Sequence, residues 1–208
     1  MTVAATILLR GDGSGPAEAH LHTELRSRDL ELIERSWAPE RAAIVARLRR
    51  ASVDPARWPQ SLHWDWSRKA PQLNLLAVSA CAIECGDQWQ AAMMTKTAPY
   101  LARSETDRGK PLVYVDFLEV APWNWRLAEI DQQPRFKLAG SVLLRHAVQQ
   151  SLREGFHGRV GLHSLPQAEG YYRDCGMQAM AAANDPQGLR WFEFTRQAAE
   201  FFLEGRIP

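Results

Sequence analysis

Sulfur is scarce in this chain, and its placement excludes two kinds of chemistry. There are three cysteines in 208 residues. Cys81 and Cys85 stand four apart in an apolar stretch, Cys175 is distant, and the histidines are scattered. That pattern has no zinc spacing, and an odd count does not make a disulfide framework. Buried, reduced thiols in a cytoplasmic protein are expected, with no metal site. An excess of one charge is also missing, because 25 basic and 24 acidic side chains leave a net +1. Bulk electrostatics therefore do not attract a polyanion, and nucleic acid is not an expected partner. No apolar run approaches the roughly 20 residues of a membrane span. The first ten residues lack the basic start and long apolar core of a secretory signal. No membrane association is expected. Internal repeats, low-complexity segments and clean domain boundaries are absent as well, so one domain over residues 1–208 is expected.

What the chain does have is concentrated in residues 111–177. The run from Pro111 to Pro122 is β-branched and aromatic, with a proline at each end, which predicts a central strand. Asp116 and Glu119 interrupt it. A carboxylate in a strand core needs a partner or a function, because burying it unpaired is costly. After a polar loop, the stretch from Arg135 to Leu144 reads as a small-residue turn opening a helix, with Leu144, Val148 and Leu152 at steps of four. Gly155 stops that helix. Residues 158–164 form a short strand, and strand–helix–strand order implies a right-handed parallel crossover. Pro166 opens a further helix that ends at Gly176.

Elsewhere, residues 3–10 predict a first strand, and residues 19–25 either its hairpin partner or an extension of the first edge. Ser27 is the expected cap of a helix carrying Leu30, Ile33 and Trp37. Pro39 is expected to stop that helix and start a second, lined by Ile44 and Leu48. Arg41, Arg47, Arg49 and Arg50 then mark a wet face, or a binding patch. Residues 54–74 are irregular and rich in tryptophan, reading either as a pocket wall or as a surface flap. His63 and Asp65 within it either meet a polar acceptor or face water. Residues 75–85 and 88–100 predict a hairpin turning at Gly86 and Asp87. Residues 177–183 and 189–195 predict the last strands, separated by residues 184–188. Thr195 is expected to cap a short helix with Phe201, Phe202 and Leu203 inward.

Three motifs in register carry a resemblance. The helix end Tyr171-Tyr172-Arg173-Asp174-Cys175-Gly176-Met177, the turn Arg135-x-x-Leu138-x-Gly140 and the strand end Val120-Ala121-Pro122 resemble those of the GNAT superfamily of N-acetyltransferases. The order of elements looks like that family over most of the chain. The resemblance implies an α/β (α+β) fold with a GNAT-like mixed, mostly antiparallel sheet, flanked by helices and containing a splayed parallel strand pair. It implies acetyl-CoA as co-substrate and a primary amine, on a small molecule or a protein, as acceptor. Backbone groups of Leu118 and Val120 would pair with the pantetheine arm, and an amide near Val120 would hold the thioester oxygen. Amides of Phe136, Lys137, Leu138, Ala139, Gly140 and Ser141 would cradle the pyrophosphate at the helix N-terminus, with charge from Arg135 and Lys137. Leu138 departs from the family pattern, which has glycine there. A leucine side chain would obstruct the phosphate or force the loop to shift.

Acyl transfer to an amine requires a base for the ammonium and an acid for the departing thiolate. Asp116 is the first candidate base and Glu119 the second; simple alternation puts them on opposite faces of the strand. The alternative is an acid accepting bonds from backbone or a tryptophan N–H. Tyr172 matches the family's general acid, with Tyr171 a packing residue beside it. Ser164 bonds pantetheine or the adenosine ribose, or makes a local turn contact. His163 faces the cleft or is structural, and His146 is expected to be exposed. A catalytically silent acyl-CoA binder, or a protein-interaction module, is the alternative function.

Overall fold

A computed structural model describes residues 2–180 and 188–205. The expected strands at residues 177–183 and the separator at 184–188 therefore lie partly outside the described residues. Nine strands, β1 (Thr2–Arg10), β2 (Pro16–Thr23), β3 (Val78–Cys85), β4 (Gln88–Lys96), β5 (Val113–Val120), β6 (Phe136–Lys137), β7 (Val160–Ser164), β8 (Gln178–Ala179) and β9 (Arg190–Phe194), are described, in the order β6-β1-β2-β3-β4-β5-β7-β9-β8, a mixed and mostly antiparallel sheet with helices. The chain folds as two compact units, Met1–Met93 with Leu118–Leu143, and Met94–Phe117 with Leu144–Pro208. No described helix is long and apolar enough to cross a membrane.

In the first unit, β1 (Thr2–Arg10) and β2 (Pro16–Thr23) form the expected hairpin, with Leu8 opposite Ala17. Strand β3 (Val78–Cys85) lies antiparallel to β2, placing Ile83 opposite Leu21. It leads through Gly86 and Asp87, both at positive φ, into β4 (Gln88–Lys96), the turn chemistry a two-residue hairpin needs. Helix α1 (Ser27–Arg50) is one helix, not two. Pro39 sits inside it on the exposed side, where its ring donates no hydrogen bond to the Arg35 carbonyl. The buried stripe Leu30, Ile33, Trp37, Arg41, Ile44, Leu48 continues straight past the proline, and this packing outweighs the break. Ser27 does not cap α1. Its hydroxyl donates to the Ala70 carbonyl (3.4 Å), and the Asp29 carboxylate accepts the Arg26 N–H (2.8 Å) in the capping role. The tryptophan-rich segment is a chain of 3₁₀ turns interrupted by the short α2 (Trp66–Lys69), with Asp65 accepting the Arg68 N–H at the start of α2.

In the second unit, β5 (Val113–Val120; its last residues belong to the first unit) runs parallel to β7 (Val160–Ser164). Strand β9 (Arg190–Phe194) lies antiparallel to β7, and β8 (Gln178–Ala179) to β9. Gly161 lies under the Trp191 ring. A Cβ there would come within 2.4 Å of Trp191 Cζ2, so the side chain must be hydrogen. Helix α3 (Ala139–Arg153) begins four residues later than Arg135, because Phe136 and Lys137 form the short strand β6 (Phe136–Lys137) against β1. Leu143, Leu144, Ala147 and Val148 are fully buried, whereas Leu152, expected in that stripe, is half exposed. His146 is half-buried, not exposed, and burial, helped by Arg153, pushes its pKa down to about 4. Helix α4 (Glu169–Asp174) follows a 3₁₀ turn at Pro166, and Gly176 at positive φ ends it. Helix α5 (Arg196–Leu203) is capped by Thr195, as expected, with Phe202 buried.

Candidate active site

The turn before α3 is held by backbone approach and by a buried polar node. Gly11 donates its N–H to the Arg135 carbonyl (2.7 Å), an approach so close that a Cβ would overlap the Pro134 carbonyl oxygen. Gln90, fully buried, accepts from Trp123 Nε1 (2.8 Å) and from Asn124 Nδ2 (3.1 Å) through its side-chain oxygen. Asn124 Oδ1 in turn accepts the Phe136 N–H (2.9 Å), and the Trp123 carbonyl accepts the Arg135 N–H (3.2 Å). The Phe136 amide, expected to face a phosphate, is thus already engaged. Its neighbours are better placed. Leu138 has φ +72° and its carbonyl accepts the Val142 N–H, so it is the hinge from which α3 starts. Ala139 and Gly140 open the helix, where amide groups point out along the axis with no acceptor inside it. Leu138 therefore adopts the backbone conformation that glycine favours, and its side chain is 48% exposed. The loop has kept the turn despite the leucine, at the cost of strain. Arg135, exposed, places its guanidinium 5.5 Å from the Trp123 ring centre, and Lys137 is exposed in β6.

The two strand acids go to different partners. In the second unit, Asp116 pairs with Lys96 Nζ at 2.7 Å. In the first, Glu119 is 3% exposed and accepts from Trp66 Nε1 at 2.7 Å through Oε2. Its Oε1 is buried with no hydrogen-bond partner. Burial pushes the Glu119 carboxyl up to about 7, against the Trp66 N–H and the Arg41 guanidinium, which pull it down. Arg41 was expected on the wet face of α1 but is 6% exposed. It sits four residues after Trp37 and three before Ile44, inside the buried stripe. Its guanidinium pairs with Glu34 through Nη2, and Nη1 lies 4.0 Å from Glu119 Oε2. Glu34 also accepts the Trp66 backbone N–H (2.9 Å), closing a ring of Glu34, Arg41, Glu119 and Trp66. Sequence reasoning missed this ring. The helical period at position 41 was its one legible sign.

Leu118 is half-buried in β5, and Val120 packs against the cluster of Ile44, Leu48, Trp125 and Leu127. The β5–β7 ladder is short: Val113 faces Val160 and Tyr114 faces Gly161, and the pairing then ends while both strands run on. Where they part, the Tyr114 hydroxyl meets His163 Nδ1 at 3.0 Å, with the His163 ring edge-on to Trp191. His163 thus belongs to an aromatic cluster. Ser164 is buried and donates its hydroxyl to the Leu165 carbonyl (2.8 Å), the local turn contact. Tyr172 is buried against Tyr171 and Phe192, and burial, with Cys175 adding to it, raises its phenol above the usual value. It carries its proton at every physiological pH.

No family model matches this sequence, and no curated protein matches it. Solved structures do. An acetyltransferase of the GNAT family from Listeria monocytogenes aligns with a TM-score of 0.53 at 14% identity, over 91% of this chain and 99% of that one. A predicted acetyltransferase from Clostridium acetobutylicum, with acetyl-CoA, aligns at 0.50 and 11% identity, over 81% and 96%. A GCN5-related N-acetyltransferase from Ralstonia eutropha gives 0.50 at 17% identity, over 81% and 97%. The fold of this chain is accordingly similar to that of GNAT-family acetyltransferases, the fold the resemblance implied.

Proposed function

We propose that this protein is an acetyl-CoA-dependent N-acetyltransferase that moves an acetyl group directly to a primary amine. The observation that carries the reading is the early end of the β5–β7 ladder after Tyr114 and Gly161, beyond which the two parallel strands part and Leu118 and Val120 receive the pantetheine arm. The turn at Leu138, Ala139 and Gly140 holds the pyrophosphate on helix amides, with Arg135 and Lys137 as counter-charges. Glu119 replaces Asp116 as the preferred base. Asp116 is tied to Lys96, whereas a buried carboxyl near neutral pH is matched to taking a proton from an ammonium. The freed amine attacks the thioester carbon, an amide near Val120 stabilises the oxyanion, and the carbon–sulfur bond breaks. Tyr172, protonated, gives its proton to the thiolate and recovers one from the attacking nitrogen as it becomes the amide.

Release of free thiol from acetyl-CoA in the presence of an amine panel tests this. The protein's own cysteines are all buried, and burial pushes Cys81 up to about 12, so they add little signal. Tyr172→Phe is expected to lower turnover by about 100-fold with coenzyme A affinity nearly intact. Unchanged turnover would remove Tyr172 from the mechanism. The leucine in the glycine position supports a second reading, a silent acyl-CoA binder. Coenzyme A binding without thiol release for any amine would favour it.

A further inference from the structure

Within the first unit, β1 pairs with β2 from Thr2 to Leu9, but on its other side β6 meets it only at Leu9 and Arg10. From Thr2 to Leu8 that outer edge has no partner strand among the described residues. Alternate residues of an antiparallel strand turn their N–H and C=O away from the neighbour, so the edge is a row of unmatched backbone groups. Edges of this kind are ordinarily blunted by a lysine, a proline, a bulge or a short length. The run Thr2-Val3-Ala4-Ala5-Thr6-Ile7-Leu8 has no charge and no proline, and its register against β2 is unbroken. Its side chains are open as well. Val3 and Ile7 are 48% and 58% exposed on one face, with exposed Ala5 between them, and Thr2 and Ala4 are exposed on the other. Apolar β-branched residues stabilise a strand by packing on cross-strand neighbours, and on the outer side of β1 those neighbours are missing.

Two features select the occupant. With no charge on the edge, a second copy meets no like charge there, whereas a charged strand would find no counter-charge. The second feature is where the edge closes. Because β6 takes it over at Leu9, the free stretch is centred on Ala5. Laid antiparallel against itself about a two-fold axis at Ala5, it opposes Val3 to Ile7, Ala4 to Thr6 and Thr2 to Leu8. Each pair shares a face, as directly opposed residues must, and the exposed β-branched side chains meet each other beside a small residue at the axis.

We propose that the outer edge of β1 is a self-association surface, through which two copies of this chain pair antiparallel over residues 2–8 and continue one sheet into the other. The pairing is independent of the transferase reading. Sedimentation equilibrium is expected to show a monomer–dimer equilibrium with a midpoint between about 1 and 100 µM, the weak range of a small interface. Ala5 is exposed and is the position at which each copy meets itself. Ala5→Lys and Ala5→Glu each set like charges opposite one another, and each should weaken the dimer at least about fivefold with the thermal midpoint of the monomer unchanged. Mixed in equal amounts, the two variants set lysine opposite glutamate and should regain association as tight as the native chain's. Hydrogen exchange of the native protein reads the same edge without any substitution: amides within residues 2–8 should slow at about 500 µM relative to about 1 µM. A native chain that stays monomeric up to about 500 µM overturns the proposal and leaves the edge to a strand from another protein. A dimer whose β1 amides exchange as in the monomer, or one that Ala5→Lys and Ala5→Glu both leave untouched, lies on another face and overturns it equally. Association no tighter in the mixture than in either variant alone overturns the axis at Ala5.

Discussion

Replacing Glu119 with glutamine should remove a loss of stability that the native protein suffers as pH rises from about 4.5 to about 7. The carboxyl titrates near 4.5 when free and about 7 when folded, a gap of about 2.5 pH units. Below pH 4.5 both states are protonated and the group contributes no pH dependence. Between 4.5 and 7 the unfolded chain has released the proton and the folded chain has not. The unfolded state therefore binds fewer protons, and stability falls as pH rises through that window. At about 1.36 kcal/mol per pH unit the loss is about 3 kcal/mol, and it is flat above pH 7. Glutamine has nothing to titrate. The stability of Glu119→Gln relative to the native chain should thus rise by about 3 kcal/mol between pH 4.5 and 8. Every other titrating group cancels in that difference, and so does any constant change in hydrogen bonding. Urea unfolding at pH 4.5, 5.5, 6.5 and 8 measures it, with the eight tryptophans as the fluorescence signal. A difference that does not change with pH would show that Glu119 is ordinary when folded, and the argument for it as the base would fall.

Three further outcomes follow from the same contacts. Trp66→Phe deletes the N–H that holds Glu119 Oε2, so the acid limb of the rate–pH profile, near 7 in the native enzyme, should move to higher pH; a fixed limb would assign it to another group. Asp116→Asn should keep turnover within about fivefold, while Glu119→Gln loses about 100-fold or more. The opposite order would restore Asp116 as the base. Leu138→Val puts a β-branched side chain at φ +72°, and should cost about 1 kcal/mol in urea unfolding, whereas equal stability would mean the turn had changed shape.

Strands and helix ends were legible where one residue type carries a backbone requirement. Prolines bracketed β5, glycines closed α3 and α4, and Gly86 with Asp87 turned the β3–β4 hairpin. Those signals are local, and the structure keeps them. Pro39 misled because its local penalty was set against a buried stripe running the length of α1, and packing decided the contest. The candidate site was legible in position but not in partners. Nothing near Glu119 in sequence announces Trp66, 53 residues away, or Arg41 on another helix. Asp116 ranked first only because its pairing with Lys96 is tertiary. The Leu138 substitution was visible, but its consequence was not. Sequence suggested a blocked loop, and the backbone shows a leucine held in glycine's conformation.

Amide hydrogen exchange along β5, with and without saturating coenzyme A, tests the central claim most directly. If Leu118 and Val120 receive the pantetheine arm, their amides slow on binding, while Val113, already bonded to the Arg159 carbonyl, stays as it was. Exchange at Leu118 and Val120 that ignores coenzyme A at millimolar concentration would contradict the account.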